Sequence, residues 1–485
     1  MLFRQIFDPR LSQYAYLIGC QRTGEAILID PQRDIDRYLQ LAADEEVRIT
    51  AVTETHIHAD FLSGARELAH AVGAKVYVSG LGGPDWQVEW PEQDTVDGKP
   101  IDFERLADGD SIHIGNIELK VVHSPGHTPE HIAFLVTDHG GGATEPMGIA
   151  SGDFVFVGDL GRPDLLESAA GEAGAMEPSA RRLFASASSF LELPDHLQVW
   201  PGHGAGSACG KALGAVPMST VGYERRHNAS LDAVRRGEDA FVAQILDGQP
   251  EPPLYFARMK TLNRVGAPVL GELPRPERLS ADELAELVTQ HDDQVVILDT
   301  RRDRKAFLDG HLAGSLFAPL DRSFPTVAGS YVEPEQTIYL IAEADEVEDA
   351  VRELVRIGLD QVQGWAPVAV LKSVDVELER IASIDFEAIG LDAATDSDAL
   401  ILDVRRAAEF REGAVDGALN IAHTRLAARL DEIPDGRALT VHCKTGGRAA
   451  VAAAFLKARG FAVRHVDADF PAWWSGRTKI EATGS

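Results

Sequence analysis

Apolar residues recur along this chain in short runs, each closed by a polar or glycine-rich loop. AYLIG (15–19) and EAILID (25–30) predict a hairpin, and ITAVTETHIHAD (49–60) predicts a buried strand running into a polar loop. LSGARELAHAVG (62–73) has apolar residues at helical spacing and is followed by the strand-like KVYVSG. IELKVVHSPGH, HIAFLVTD and GIASGDFVFVGD then repeat one theme, an apolar strand ending in His or Asp within a Gly/Pro loop. Donors carried on loops at strand ends converge when the strands share a sheet.

A Pro-rich stretch, QPEPPLYFARMKTLNRVGAPVLGELPRPERL, reads as a linker and wrap-around segment. Beyond it the chain repeats itself. VVILDTRRDRKAFLDGHLAGSLFAPL is echoed by ALILDVRRAAEFREGAVDGALNIAH, and TIYLIAEADEVEDAVRELVRIGL by ALTVHCKTGGRAAVAAAFLKARGF. Each half reads strand, Asp-x-Arg turn, short helix, strand, loop, helix, which predicts a small α/β domain present twice. The expected boundaries are 1–250 for a first domain, 251–275 for the linker, and 276–375 and 376–485 for the two repeats.

A chain of 485 residues exceeds one hydrophobic core. With 45% hydrophobic and 25% charged residues it has a globular composition. Lys+Arg at 46 against Asp+Glu at 76 gives a formal charge of −30, a field opposed to nucleic acid and to anionic membrane surfaces. Neither is expected as a partner. Cys20, Cys209 and Cys443 are too few for a disulfide framework, which fits a reducing compartment. The start lacks the pattern of a secretory signal and no apolar stretch is long enough to span a bilayer, so the cytoplasm is the expected location.

Thr55-His56-Ile57-His58-Ala59-Asp60 sets donors at alternating positions directly after an apolar strand, where side chains two apart point the same way. His127, Asp153 and His203 lie on later strand-end loops. THIHAD, SPGHT, SGD and PGHG, in this order, resemble the metallo-β-lactamase superfamily over about the first half of the chain. That resemblance implies an αββα sandwich with metal at one edge of its sheets. Two-zinc hydrolases of the superfamily use HxHxDH, whereas here Phe61 follows Asp60, so one second-site ligand is missing. HIHADFLSG, GDLGRPDL and GHGAGSACGK instead resemble persulfide dioxygenases. The resemblance implies one mononuclear non-haem Fe(II) on His56, His127 and Asp153, a face that leaves positions open for O2 and substrate. It leaves His58, Asp60 and His203 to orient ligands and hold waters. Arg162 either anchors an anionic substrate or pairs with Asp164, the pairing being favoured. Cys209 either lines the substrate passage or packs a Gly-rich turn, and Lys211 is a cationic attractor or a solvated charge.

Val441-His442-Cys443-Lys444-Thr445-Gly446-Gly447-Arg448 follows a strand and precedes an Ala-rich helix. A cysteine there meets backbone N–H groups and the positive end of a helix dipole, which favours thiolate. Arg448 and Lys444 add positive charge, so the loop suits a nucleophilic sulfur that meets anions. Tyrosine phosphatases enclose phosphate with C-x5-R; the tighter C-x4-R here, together with LDVRRAAEF, resembles an active rhodanese over the last quarter of the chain. In the preceding repeat the corresponding loop, LIAEADEVED, has no cysteine and carries acids where cations belong. That repeat is expected to be an inactive rhodanese, a spacer or an oligomer contact.

Taken together, these motifs resemble persulfide dioxygenase–rhodanese fusions. The resemblance implies an α/β multidomain fold, an αββα metallo-β-lactamase sandwich followed by two rhodanese-like α/β domains. The implied chemistry oxidises a low-molecular-weight thiol persulfide with O2 to sulfite, and passes sulfane sulfur through Cys443 to give thiosulfate, in sulfide detoxification. A homo-oligomer is expected. The alternative is a glyoxalase II-like zinc thioester hydrolase fused to a sulfurtransferase.

Overall fold

A computed structural model of the chain describes residues 1–168, 174–290, 292–389 and 399–475. Two compact units divide it: Met1–Leu273 with Val355–Gly358, and Pro274–Leu354 with Leu359–Ser485. No helix among the described residues is long and apolar enough to cross a membrane.

In the first unit, two six-stranded sheets lie face to face. One runs in chain order through Leu2–Asp8, Gln13–Cys20, Glu25–Ile29, Arg48–Thr53, Lys75–Ser79 and Phe103–Leu106. The expected hairpin is present, with Gln13–Cys20 antiparallel to Glu25–Ile29. The other sheet runs from Ser111–Ile114 through Ile117–His123, Ile132–Asp138, Gly148–Gly152 and Gln198–Pro201 to Ser219–Thr220.

Alternation along each strand builds the layers. Tyr14, Tyr16 and Ile18 join Ile27 and Ile29 against Leu119, Val121, Phe134 and Trp200, which makes the core between the sheets. The intervening Ala15 and Leu17 face the other way, with Leu28, onto Tyr38 and Leu68 of the helices Asp36–Asp44 and Ala65–Val72. Ala133, Ile149 and Val199 likewise back onto Leu183, Ala187 and Phe190 of the helix Met176–Phe190. Burying each large aliphatic or aromatic side chain contributes about 1.5–3 kcal/mol, so period-two patterning suffices to fix this α/β/β/α layering.

The Pro-rich stretch after the sandwich contains a helix, Phe256–Val265, whose Phe256 and Met259 are buried. From it Asn263 donates to the carbonyls of His58 and Phe61 at 2.8 and 2.7 Å and accepts from the Ser63 amide at 2.9 Å. The stretch therefore holds the loop that follows the THIHAD motif. Its prolines and polar residues mask the i, i+3 apolar spacing of Phe256 and Met259 in the sequence.

The second unit holds two five-stranded parallel sheets. The first is ordered Glu277–Arg278, Val362–Ala366, Thr337–Ile341, Val295–Asp299, Leu316–Phe317; the second Ala382–Ile384, Val463–Val466, Leu439–His442, Leu400–Asp403, Leu419–Asn420. Numbered within each repeat, both sheets have the order 1-5-4-2-3. Each repeat also closes the same clamp. Arg301 donates to Asp299 at 2.6 Å and to the Gly310 carbonyl at 2.9 Å. Arg405 donates to Asp403 at 2.6 Å and to the Gly413 carbonyl at 2.7 Å. The repeated Asp-x-Arg of the sequence is thus a buried brace between a strand end and the following turn.

Candidate functional site

The strand Arg48–Thr53 delivers the HxHxD segment to the edge of the sandwich. Its entry is fixed by Asp30, whose carboxylate accepts the Thr55 amide at 2.6 Å and the Thr55 hydroxyl at 2.9 Å. Thr55 Oγ1 in turn lies 2.9 Å from His56 Nδ1, and His127 Nδ1 lies 3.0 Å from the Arg162 carbonyl. With Nδ1 engaged in both rings, Nε2 is the nitrogen left to bind, an arrangement typical of metal-ligating histidines.

His56, His127 and Asp153 converge, with one donor atom of each within 4.8 Å of the others, and all three are buried. His127 Nε2 is 3.5 Å from Asp153 Oδ2. Asp153 is fully buried, yet neither carboxylate oxygen has a hydrogen-bond partner among the described residues. An unpartnered buried carboxylate is costly unless a cation neutralises it. Burial alone would raise its pKa, but His203 and His127 hold it below the ordinary carboxylate value. Burial, followed by the charges of His58 and His127, pushes His56 well below the ordinary imidazole value. A neutral His56 beside an ionised carboxylate matches the protonation states a divalent cation requires, so the donor set fits one.

His58 does not join this trio. Its Nε2 lies 3.0 Å from Glu54 Oε2 and 3.2 Å from Asp30 Oδ1, all three residues being buried. Phe61, the residue that replaces the second-site histidine, packs its ring 4.3 Å from that of His58. Burial raises the Glu54 carboxyl to about 7.

Asp60 and His203 form another buried trio with Cys209. His203 Nε2 is 3.3 Å from Asp60 Oδ2 and 3.5 Å from Asp153 Oδ1, so this trio adjoins the first. Asp60 Oδ2 and His203 Nε2 also lack hydrogen-bond partners among the described residues. Burial, then the charges of Asp60 and Asp153, raises the Cys209 thiol well above its ordinary value. Cys209 is therefore brought to the centre, although nothing in its local sequence separates that place from a packed turn.

Arg162 is fully buried and engaged through all three of its nitrogens, donating to Asp164 at 2.8 and 2.6 Å and to the Ala208 and Pro250 carbonyls at 3.0 and 2.6 Å. Of the two roles open to it in the sequence, this geometry gives it the pairing. Lys211 is engaged too, donating to the carbonyls of Gln244 and Asp247 at the end of the helix Glu238–Leu246. Two further groups serve the centre without having stood out in the sequence. His131 accepts the Asp153 amide at 3.1 Å and stacks 5.2 Å from His56, and the Ser12 carbonyl lies 3.2 Å from His203 Nδ1. The four-residue spacing from His127 to His131 was the available signal for the former; a serine carbonyl in the first hairpin leaves none.

In the second unit, Cys443 is buried between the strand Leu439–His442 and the helix Gly447–Ala458. Gly446 has φ +91°, a left-handed conformation that lets the chain turn into the helix. Lys444 is exposed on the loop. Arg448 is held by a bidentate pair with Glu409 at 2.7 and 2.8 Å. Burial opposes the ionised Glu409 carboxyl, but the Arg448 guanidinium outweighs it and holds the pKa at about 2. In the cysteine-free repeat the corresponding segment carries Glu343, Asp345 and Glu346, and Arg302 pairs with Glu346.

Residues 8–203 match the Metallo-beta-lactamase superfamily, and residues 390–475 match the Rhodanese-like domain. The chain is 29% identical to the mitochondrial persulfide dioxygenase of Bos taurus over 236 residues, 48% of this chain and 76% of that protein. It is 30% identical to a beta-lactamase hydrolase-like protein of Xylella fastidiosa over 294 residues, 56% of this chain and 61% of that one. Among solved structures, a metallo-beta-lactamase from Staphylococcus aureus subsp. aureus COL is similar at a TM-score of 0.65 and 40% identity, covering 76% of this chain and 99% of that chain.

Proposed function

Because the chain belongs to the metallo-β-lactamase superfamily and carries a rhodanese-like domain behind it, we propose that it oxidises a thiol persulfide at the first centre and transfers sulfane sulfur at Cys443. Persulfide dioxygenase relatives and the rhodanese domain support sulfur oxidation and transfer in general. The observation that carries the finer reading is the turning of His58 toward Glu54 and Asp30, which leaves two histidines and one carboxylate as the primary donor face. Such a face suits mononuclear non-haem Fe(II), which when bound supplies open positions for O2 and sulfur.

His56, His127 and Asp153 would hold the ion, with Thr55, the Arg162 carbonyl and His131 fixing their orientation. The overall oxidation converts a persulfide anion, O2 and water into thiol, sulfite and a proton. At the second centre the Cys443 thiolate attacks the outer sulfur of a second persulfide, and the carrier thiolate leaves. Sulfite then attacks the sulfur held on Cys443, releasing thiosulfate and regenerating the thiolate. Sulfide detoxification is the purpose this pair of reactions serves.

The buried Asp60–His203–Cys209 trio favours one competing reading, a two-zinc thioester hydrolase with Cys209 in place of the missing second-site histidine. Oxygen uptake by the Fe(II)-loaded protein on adding glutathione persulfide, with sulfite and thiosulfate quantified, separates the two. His127→Ala is expected to abolish uptake while leaving thiosulfate-to-cyanide sulfur transfer. Cys443→Ser is expected to do the converse, with sulfite accumulating. Absent uptake with iron bound, together with hydrolysis of an acyl-thiol by the zinc form, would establish the hydrolase.

A further inference from the structure

The loop between Cys443 and its helix is braced by residues outside the C-x4-R motif. Phe470 donates its amide to the Lys444 carbonyl at 2.9 Å, and His465 Nε2 lies 2.8 Å from the Gly446 carbonyl. The α-carbon of Gly446 is pressed from one side by Asp467. A β-carbon there would stand 2.8 Å from Asp467 Oδ1, and 3.4 and 3.5 Å from Nε and Nη2 of Arg304. Arg304 itself donates to Asp467 Oδ1 from Nε at 3.0 Å and from Nη2 at 2.6 Å. It belongs to the helix Arg304–Asp309 of the cysteine-free repeat.

Two more contacts join that repeat to the sulfur-transfer machinery. Tyr331, also of the cysteine-free repeat, packs its ring at a tilt 4.5 Å from that of Phe455 on the helix that follows Cys443. Its hydroxyl donates to the His423 carbonyl at 2.6 Å. Residues Ala449–Leu456 of that helix are all buried. Its Ala-rich sequence has no polar face, as expected of a helix covered on all sides.

Electrostatics gives the Arg304 contact its importance. A carboxylate against the backbone of a loop that must receive thiosulfate, sulfite and a thiolate is unfavourable on its own. Arg304 offsets that charge where it meets Gly446, and its two donors fix where the carboxylate stands. We propose that Arg304 of the cysteine-free repeat is a positioning residue for the Cys443 loop, acting through Asp467, so that the two repeats form one sulfurtransferase. The proposal rests on reading the Cys443 loop as a rhodanese centre.

Thiosulfate-to-cyanide sulfur transfer by the full chain tests it. Arg304→Ala is expected to lower kcat/KM for thiosulfate by about tenfold to a hundredfold, the scale on which outer-shell partners act. Arg304→Asp and Asp467→Arg are each expected to lower it, and the charge-exchanged double variant to recover at least about tenfold over the worse single change. Mere loss of packing would not be repaired by exchanging charges. Far-ultraviolet circular dichroism and unfolding midpoints identify any variant that has failed to fold. Arg304→Gln, which keeps length and loses charge, then replaces Arg304→Ala. Folded Arg304→Ala or Arg304→Gln protein within about twofold of wild type, or a double variant no better than the worse single one, would overturn the proposal. Absence of transfer by the wild-type chain would instead overturn the rhodanese reading beneath it.

Discussion

Gly202 offers a direct probe of how tightly Asp153 is placed. A β-carbon at this position would stand 2.5 Å from Asp153 Oδ1, with the Gly152 carbonyl carbon and oxygen behind it at 3.0 and 3.1 Å. Carbon–oxygen contacts relax to about 3.3 Å, so in Gly202→Ala the carboxylate must retreat by about 0.8 Å. Backbone displacement is resisted, because the Gly202 amide donates to the Gly152 carbonyl and the Gly202 carbonyl accepts the Tyr14 amide, both at 2.8 Å. Oδ1 cannot move that far without carrying along Oδ2, which faces His127, and metal–ligand distances tolerate only about 0.2 Å, so the carboxylate leaves coordinating range. Overpacking of this kind costs about 1–3 kcal/mol. If that strain falls on the bound state, affinity for Fe(II) drops by about tenfold to a hundredfold. Iron retained per chain against a competing chelator measures the drop, and circular dichroism of the metal-free protein separates loss of the site from loss of the fold. Folded Gly202→Ala protein that holds iron as tightly as wild type would refute the placement of Asp153 as a ligand.

Two other changes act on stability in ways the geometry specifies. Arg162→Ala leaves Asp164 buried and unpaired, so it is expected to destabilise the first unit by about 3–5 kcal/mol in urea unfolding. Because all three nitrogens of that guanidinium are already engaged within the protein, the folded fraction should retain its KM for persulfide; a large rise in KM would make Arg162 a substrate anchor after all. Glu409→Gln removes the partner of Arg448. A carboxyl depressed to about 2 contributes stability that is complete above its ordinary pKa near 4.5 and is lost as pH falls through about 2. The variant's unfolding midpoint is therefore expected to lie below that of wild type at neutral pH, by the equivalent of about 2 kcal/mol for a charge-assisted pair. The gap should close as the pH is lowered between those two values; a gap independent of pH would mean that the pairing is not its source.

Strand-end chemistry was legible because period-two apolar runs fix both the layers and the ends at which His56, His127 and Asp153 emerge. The repeated Asp-x-Arg was legible for a related reason, since it marks the same strand end in both halves. What escaped is what acts at a distance along the chain. The resemblance set His58 apart from the ligands, but the partners it turns to, Glu54 and Asp30, were not legible. Asn263 lies in a stretch whose prolines read as linker, yet it holds the loop after the motif. Arg304 sits in the repeat whose own loop has no thiol, and its bond to Asp467 spans 163 residues. Cys209 reads equally as a thiol of the substrate passage and as one packing a turn until Asp60 and His203 are seen beside it.

The Asp-x-Arg brace explains how one copy of a duplicated fold can lack the loop cysteine and still hold together. Asp299 and Asp403 are almost wholly buried, and losing either arginine alone would strand its acid at a cost of about 3–5 kcal/mol. The pair is thus locked against single substitutions. A thiol at a loop has no such protection, because its replacement leaves no charge behind. Under accumulating change, a copy of this domain sheds its reagent first and its skeleton last.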